Sequence, residues 1–224
     1  MYITAEVGSL LEAIVKMNTM NTSKKSIYPF FETIRIEDGI VCAPERHLER
    51  MRATCINNWG HFRHTCIFNE LIIPEAFSGV LAKLNIYYNE TELEFVFSLY
   101  NPRKIETIKL VEVPARFEYH FKYTERSILN NLLNQSGTDE IIIVQQGLIT
   151  DSSKANIIFE KDGNLFTPES FLLNGTMRQY LLEAGEITEM SIGVEELYQF
   201  EAMYFVNAMN PLKNSSKYDC KMIL

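Results

Sequence analysis

Three short stretches of the sequence contain residues whose types could do chemistry. Lys122 lies in HFKYTER, on a loop before a predicted helix, and a primary amine shielded from water can condense with a carbonyl and carry a proton. Asp151 ends a predicted strand in LITDSS, and Gly175 with Thr176 begins a predicted helix whose amide groups favour an anion. Taken singly, each has an ordinary explanation as a surface lysine, a turn aspartate or a helix start.

The histidines and cysteines do not form a metal motif. His61 and His64 have a spacing that could ligate a metal, but no third ligand is near them in the sequence, so we expect both at a solvated helix end. The four cysteines are widely spaced without a CxxC pair, which argues against a zinc site or a disulfide framework. We therefore predict no metal and reduced thiols.

Composition limits the classes of partner. The net charge of -8 and the pI near 5.1 argue against nucleic acid, because phosphate binding needs a basic surface. The opening residues are too acidic for a signal peptide, and no apolar stretch reaches the length of a membrane span. We predict a cytoplasmic protein that binds a small molecule and no membrane.

The first half of the chain predicts a small sheet and one long helix. FFETIRI and IVCA flank an EDG turn and predict a hairpin. Pro44 and Glu45 open a helix with one apolar face, formed by Leu48, Met51, Cys55, Ile56 and Trp59. Two further strands are expected in GVLAKLNIYYN and LEFVFSLY. A separate short helix is predicted before residue 18, with Leu10, Leu11, Ile14 and Val15 on its apolar face.

The second half predicts strands interrupted by two helices. It begins with the strand IKLVEV and a helix that contains Ile128, Leu129, Leu132 and Leu133. DEIIIVQ, LITD, ANIIFE and NLFTP follow in quick succession, which is typical of antiparallel pairing. TMRQYLLEAG predicts a second helix and AMYFVNAM a last strand. The polar segment YNPRKIET predicts a domain boundary, giving domains 1–104 and 105–224, with the order of residues 1–27 left open.

The order of several short patterns resembles the class IV aminotransferase family, whose members are fold-type IV pyridoxal-phosphate enzymes. The resemblance runs from about Phe31 to Asn210, through FETIRIEDG, HLERM, FKYTER, DEIIIVQQGLITDSSKANIIF, LFTP, GTMR and FVNAM. Each pattern is weak alone, and their common order is specific. It implies an α+β (mixed α/β) fold like that of D-amino-acid aminotransferases, with two domains, the cofactor in the cleft between them, and a homodimer.

The resemblance also assigns roles to residues of this chain. Lys122 would hold pyridoxal 5'-phosphate as a Schiff base. Asp151 stands where the family usually has a glutamate that pairs with the pyridine nitrogen, and Asn156 matches an asparagine that we interpret as structural. The positions that match the phosphate site are Arg50, Thr176, Met177, Asn207 and Ala208.

Three functions remain open. The leading prediction is a lyase of folate biosynthesis that converts 4-amino-4-deoxychorismate to p-aminobenzoate and pyruvate. The first alternative is an aminotransferase acting on branched-chain or D-amino acids. The second is a non-catalytic binding module that keeps the fold, which the replacement of glutamate by Asp151 motivates. No arginine for a substrate carboxylate can be identified from the sequence.

Overall fold

The computed structural model describes residues 27–69 and 71–224, which divide into two compact units. The first unit comprises the described residues up to Asn101 together with Tyr123–Glu125, and the second comprises Pro102–Lys122 with Arg126–Leu224. The short helix predicted before residue 18 lies outside the described residues. The predicted domain limits, 1–104 and 105–224, stay a prediction.

The first unit contains an antiparallel sheet in the order β2-β1-β3-β4. Its strands are β1 (Phe30–Glu37), β2 (Ile40–Val41), β3 (Ala82–Tyr88) and β4 (Leu93–Leu99). Asp38 and Gly39, which connect β1 to β2, have φ values of 51° and 75°, as a tight two-residue hairpin turn requires. The hairpin predicted from EDG is therefore confirmed.

One long helix, α1 (Pro44–Trp59), packs on this sheet, and its predicted start is confirmed. The predicted buried face is partly wrong. Ile56 is 47% exposed, whereas the polar residues His47 and Thr54 are buried. The polar part of this buried face contacts β1, where His47 Nδ1 lies 2.8 Å from the carboxylate of Glu32.

The second unit is built on a larger mixed sheet in the order β10-β9-β8-β7-β6-β5, with β11 paired to β8 and β12. Its strands are β5 (Ile108–Val113), β6 (Glu140–Gln145), β7 (Leu148–Ser152), β8 (Asn156–Lys161), β9 (Asn164–Pro168), β10 (Thr188–Met190), β11 (Ala202–Val206) and β12 (Tyr218–Asp219). The predicted antiparallel pairing from β6 to β9 is confirmed. By contrast, β5 pairs with β6 in parallel, through a crossover that contains Lys122 and α2 (Ser127–Ser136).

The centre of the second unit is apolar. Ile157 and Phe159 on β8 lie in the main core with Met203 on β11. The opposite side of β8 packs against α3 (Thr176–Glu183) through Ile158 and Leu181. The described elements therefore form a mixed α and β fold, as predicted. Within this part of the chain, no helix combines the length and the apolar composition that a membrane span requires.

Candidate active site

Asp151 is a buried carboxylate among the predicted site residues, and both of its oxygens are hydrogen-bonded. It lies on β7, is 6% exposed, and accepts three hydrogen bonds. Asn156 Nδ2 donates to its Oδ1 at 2.8 Å, while the amides of Leu172 and Leu173 donate to its Oδ2 at 3.0 and 2.9 Å. The carboxylate thus fixes the loop that leads from β9 towards α3.

The environment of Asp151 raises its pKa towards neutral pH. Burial raises the pKa of Asp151 to about 6, although the hydrogen bonds of Leu173, Asn156 and Leu172 and the charge of Arg178 act in the opposite direction. The hydrogen-bond donors are all neutral, so they offset only part of the cost of burying the charge. A further positive group beside this carboxylate would stabilise its ionised form.

Asn156 connects Asp151 to the start of α3. Its Nδ2 also donates to the carbonyl of Leu173 at 2.9 Å. A Cβ atom placed on Gly175 would lie only 2.0 Å from Asn156 Oδ1, although the φ of Gly175 is an ordinary -70°. Glycine is required here because the backbone passes directly against the amide. Asn156 is therefore structural, as predicted, and it also sets where α3 begins.

The first turn of α3 supplies amide groups for an anion. Thr176 is the first residue of the helix and is 5% exposed, and Met177 packs into the apolar cluster beneath the helix. The first amides of a helix have no acceptor within it and carry a partial positive charge. Thr176 and Met177 thus lie where a helix presents free amides, and their assignment to the phosphate stays a prediction.

Arg178, which the sequence analysis did not assign, anchors this helix. Its guanidinium is buried, lies 4.2 Å above the ring of Phe171, and donates to the Pro168 carbonyl at 3.1 Å and to Glu189 at 2.5 Å. The GTMR pattern contained this residue, but its partners lie on other strands. Arg178 ties α3 to β9 and β10.

Asn207 and Ala208 form a turn beside the same region. Asn207 Oδ1 accepts the amides of Met209 and Asn210 at 2.9 and 3.0 Å, and its Nδ2 donates to the Lys154 carbonyl at 3.2 Å. The turn directly follows β11, whose last residue pairs with Asn156. The structure therefore brings this turn next to the segment after Asp151.

Lys122 is half-buried in the loop between β5 and α2. Arg126, four residues later, donates to the Ser153 carbonyl at 2.6 Å, and Glu140 Oε1 accepts the Ser153 amide at 3.1 Å. The Ser153 hydroxyl is buried and has no hydrogen-bond partner within the described residues. The loop of Lys122 is thus tied to the segment that follows Asp151.

Arg50 belongs to the first unit and lies on α1. Its Nε donates to Glu32 Oε1 at 2.9 Å, its Nη2 also bonds Glu32, and His47 Nδ1 lies 2.8 Å from Glu32 Oε2. Burial alone would raise the pKa of Glu32, but the charge of Arg50 and the hydrogen bonds from His47 and Arg50 lower it to about 2. This buried cluster was not predicted.

The two histidines considered as metal ligands do different things. His64 is buried, with Nε2 2.9 Å from the Asn89 carbonyl, so its predicted place at a solvated helix end is wrong. His61 lies 3.2 Å from the Glu90 carboxylate. Across residues 27–69 and 71–224, no group of three or more His, Cys, Asp or Glu side chains is arranged to hold a metal ion.

The groups of the second unit fit the polar parts of pyridoxal phosphate. An amine (Lys122), a buried carboxylate (Asp151) and the free amides of the first turn of α3 are the group types that the aldehyde, the ring nitrogen and the phosphate of the cofactor need, and these assignments stay a prediction. The unpartnered hydroxyl of Ser153 adds a buried polar atom that a ligand can satisfy. Nothing in this set of donors conflicts with the cofactor.

Comparison with known proteins identifies the family. The family model described as amino-transferase class IV matches residues 103–213. An uncharacterised protein of Haemophilus influenzae is 32% identical over 189 residues, which are 83% of this chain and 100% of that protein.

Two solved structures extend the comparison. A candidate 4-amino-4-deoxychorismate lyase of Haemophilus somnus 129pt is 30% identical and superposes with a TM-score of 0.71, covering 83% of this chain and 98% of the other. A candidate amino-acid aminotransferase of Mesorhizobium loti has a TM-score of 0.75 at 17% identity, over 88% of this chain and 100% of the other, and shows the fold alone. The chain belongs to the class IV aminotransferase family and has the fold-type IV architecture that its motifs implied.

Proposed function

We propose that this protein is a pyridoxal-phosphate-dependent lyase that converts 4-amino-4-deoxychorismate to p-aminobenzoate and pyruvate. The observation that carries the proposal is the bonding of Asp151 to the loop that leads into α3. This bonding couples the carboxylate assigned to the ring nitrogen to the amides assigned to the phosphate. An arrangement of this kind suits a ligand that has a basic nitrogen at one end and an anion at the other.

The lyase is favoured over other reactions of the family by the likeness to the Haemophilus somnus protein. That candidate lyase is 30% identical to this chain, which covers 98% of its length. The Mesorhizobium loti candidate aminotransferase, at 17% identity, indicates only the fold. The preference is a proposal about substrate, and the residues that hold the cofactor are the same for both reactions.

The proposed roles divide among two sets of residues. Lys122 would hold the cofactor covalently through Nζ, and Asp151 would accept a hydrogen bond from its ring nitrogen. The groups proposed to bind the phosphate are Arg50, Thr176, Met177, Asn207 and Ala208. When bound, the cofactor accepts the electron pair that remains when a proton leaves the carbon bearing the substrate amine.

In the lyase reaction, Lys122 would move one proton. Once the substrate amine replaces it, Nζ is free to remove the proton from the amine-bearing ring carbon. The C–O bond to the enolpyruvyl group would then break and the ring would become aromatic. The proton taken up by Nζ would pass to the methylene carbon of the departing enolate, which leaves as pyruvate. Water is neither added nor released overall, so one substrate gives one p-aminobenzoate and one pyruvate.

An absorption spectrum with added pyridoxal phosphate is the first test. Wild type should develop a visible band that Lys122→Ala lacks and that Lys109→Ala, which changes an exposed lysine on β5, retains. The wild-type protein is then mixed with 4-amino-4-deoxychorismate, and p-aminobenzoate and pyruvate are quantified. Equal amounts of both products support the lyase.

The same experiment separates the alternatives. A Lys122-dependent band without p-aminobenzoate, but with conversion of an amino acid and a keto acid, would identify an aminotransferase. A wild-type protein that gains no band at any cofactor concentration would reject enzyme activity and favour a binding module.

We also propose a homodimer, on the resemblance alone. Light scattering coupled to size-exclusion chromatography measures the mass directly. A mass near 26 kDa, that of one chain, would contradict the proposal.

A further inference from the structure

A buried arginine lies against the loop that connects β9 to α3, which we call the 169–175 loop. The guanidinium of Arg178 lies 4.2 Å above the ring of Phe171, in the middle of this loop. Its Nη2 donates to the carbonyl of Pro168, the last residue of β9, at 3.1 Å. Its Nη1 lies 3.4 Å from Asn174 Oδ1, near the end of the loop. One side chain therefore contacts the start, the middle and the end of the connection.

Asp151 holds the same loop at two positions between these contacts. Its Oδ2 accepts the amides of Leu172 and Leu173, which directly follow the ring that Arg178 covers. Asn156 Nδ2 donates both to Asp151 Oδ1 and to the Leu173 carbonyl. The two charged side chains thus bind adjoining parts of one short loop. A displacement of the loop would therefore change the hydrogen bonds of the carboxylate.

The hydrogen bonds of Asp151 leave part of its acceptor capacity free within the described residues. The two oxygens of a carboxylate offer about four acceptor positions. The two loop amides take those of Oδ2, and Asn156 takes one on Oδ1, which leaves one position on Oδ1. Because the loop amides fix the plane of the carboxylate, they also fix the direction of this last position. A single N–H donor of a ligand fits it.

The charge of Arg178 also acts on Asp151. Burial, the largest influence, raises the pKa of Asp151 to about 6, whereas the charge of Arg178 lowers it. The amides of Leu172 and Leu173 lower the pKa as well, and they reach the carboxylate only while the 169–175 loop keeps its place. Arg178 therefore favours the ionised carboxylate both directly and through the loop. The ionised form is the one that pairs with a protonated nitrogen.

The hydrogen bonding of Arg178 is incomplete. Its Nε is buried without a partner within the described residues. Its carboxylate partner, Glu189, is 48% exposed and so remains partly hydrated. An arginine that leaves a buried donor unsatisfied gains less stability than its contacts suggest. The place of Arg178 over the loop is therefore better explained by what it holds than by the stability it adds to α3.

We propose that Arg178 is a positioning residue for Asp151, which holds the 169–175 loop so that the carboxylate presents Oδ1 to a protonated ring nitrogen. The identity of that nitrogen rests on the proposed function. The coupling of Arg178 to Asp151 rests on contacts within the second unit alone. Arg178 itself touches neither cofactor nor substrate in this proposal.

Carbon-13 NMR of the protein without cofactor, labelled at its aspartate carboxyl groups, tests the coupling. Asp151→Asn assigns the signal by its loss. In Arg178→Met, which keeps most of the stem, the titration of Asp151 should move upward by at least about half a pH unit. Leu181→Ala, which removes a buried apolar contact of the same helix, is the matched control and should leave the titration in place. An unchanged titration in Arg178→Met, or an equal shift in Leu181→Ala, would overturn the proposal.

Phe171→Leu guards against a folding defect in the first variant. It keeps the charge of Arg178 and an apolar side chain, but it removes the ring beneath the guanidinium. The loop is then held less firmly, so the titration of Asp151 should move upward by a smaller amount than in Arg178→Met. A downward movement in this variant would also count against the proposal.

Binding of pyridoxal phosphate locates the effect at the ring nitrogen. Affinity is measured for pyridoxal phosphate and for the analogue in which a CH group replaces that nitrogen. Arg178→Met should weaken binding of pyridoxal phosphate about tenfold and of the analogue much less. An equal loss for both ligands would overturn the role assigned to Arg178. A wild-type protein that binds neither ligand, but whose Asp151 titration depends on Arg178, would reject the proposed function and support the coupling.

Discussion

Glu32 in the first unit and Asp151 in the second are both buried carboxylates, and the two behave in opposite ways. Glu32 in the first unit shares its oxygens with the cation Arg50 and with His47, and its pKa falls to about 2. Asp151 in the second unit accepts only neutral donors, and its pKa rises to about 6. Burial is the largest influence on both, so the difference lies in the charge of the partners.

The difference suggests two kinds of use. A carboxylate with a cationic partner stays ionised and fixes its neighbours, so Glu32 holds the guanidinium of Arg50 in one orientation. A carboxylate with neutral donors keeps a negative charge that these donors do not balance, so a cationic group of a ligand can balance it. Asp151 therefore suits a site that receives a protonated nitrogen, which Glu32 does not.

The largest effect is expected from Glu32→Gln. Arg50 and His47 lose the negative charge that they share, and an unpaired buried charge costs about 3–5 kcal/mol of the free energy of unfolding. Urea titration at neutral pH measures the loss. Glu106→Gln, in an exposed pair with Lys104, is the control and should leave stability unchanged. A Glu32→Gln variant as stable as wild type would contradict the conclusion that charged partners distinguish Glu32 from Asp151.

The pH dependence of stability tests the second carboxylate. The folded protein binds more protons at Asp151 than the unfolded chain does between the ordinary pKa of 3.8 and about 6, so this group lowers stability as pH rises through that window. The change amounts to about 3 kcal/mol. Glu32 acts oppositely, since its contribution is present above pH 4.5 and is lost as pH falls towards 2.

Asp151→Asn isolates this effect. The hydrogen bonds lost in this variant lower its stability by the same amount at every pH. Wild type also loses stability as Asp151 ionises, so the difference in the free energy of unfolding should shift in favour of the variant between pH 4 and pH 6. Urea titrations of both proteins across this range give the difference. Parallel stability curves would contradict the raised pKa of Asp151.

A smaller loss is expected from Gly175→Ala. The added Cβ would meet Asn156 Oδ1 at 2.0 Å, and the overpacking should cost about 1–3 kcal/mol of the free energy of unfolding. Affinity for pyridoxal phosphate should fall as well, because α3 begins at the next residue. Gly79→Ala, in the first unit with open space around it, is the matched control. Similar stability of the two alanine variants would exclude the close approach.

The smallest effect is expected from Arg126→Met. Whereas Arg50 pairs with a carboxylate, Arg126 donates to the neutral Ser153 carbonyl at 2.6 Å, and its loss should cost about 1 kcal/mol. Thermal unfolding compares this variant with Arg116→Met, which changes an exposed arginine in the same loop. A loss as large as that of Glu32→Gln would remove the distinction between charged and neutral partners.

Much of the local structure could be predicted because its causes are local. The turn at Asp38–Gly39 and the helix start at Pro44 depend on the conformations that these residues prefer. Short apolar runs in quick succession predicted the strands from β6 to β9 and their antiparallel pairing, which the structure confirms. Each of these signals lies within a few residues of the structure that it sets.

The buried cluster of the first unit could not be predicted in the same way. Glu32 stands among alternating polar residues, and its partners His47 and Arg50 follow 15 and 18 residues later. Apolar spacing placed Ile56 in the buried face of α1, whereas the structure exposes Ile56 and buries His47 against Glu32. A polar contact between two elements thus occupies part of the face that the hydrophobic pattern assigned to apolar side chains.

For the candidate site, the sequence supplied residues and the structure supplied their connections. Gly175 was interpreted as a helix start, but the need for glycine at this position comes from its close approach to Asn156 on β8. The motifs contained Arg126 and Arg178 without indicating that the first bonds the Ser153 carbonyl and the second is buried. Long-range contacts of this kind leave no pattern in neighbouring residues.

The parallel pairing of β5 and β6 has a consequence for the order of folding. Lys122 lies in the connection between these strands, so its loop closes only when chain segments on either side of α2 have met. The entropy of closing such a connection is lost before the strand contacts compensate for it, which makes this kind of pairing slow. The surroundings of the amine therefore cannot form from local contacts alone. Binding of the proposed cofactor would accordingly require this strand pairing to have formed.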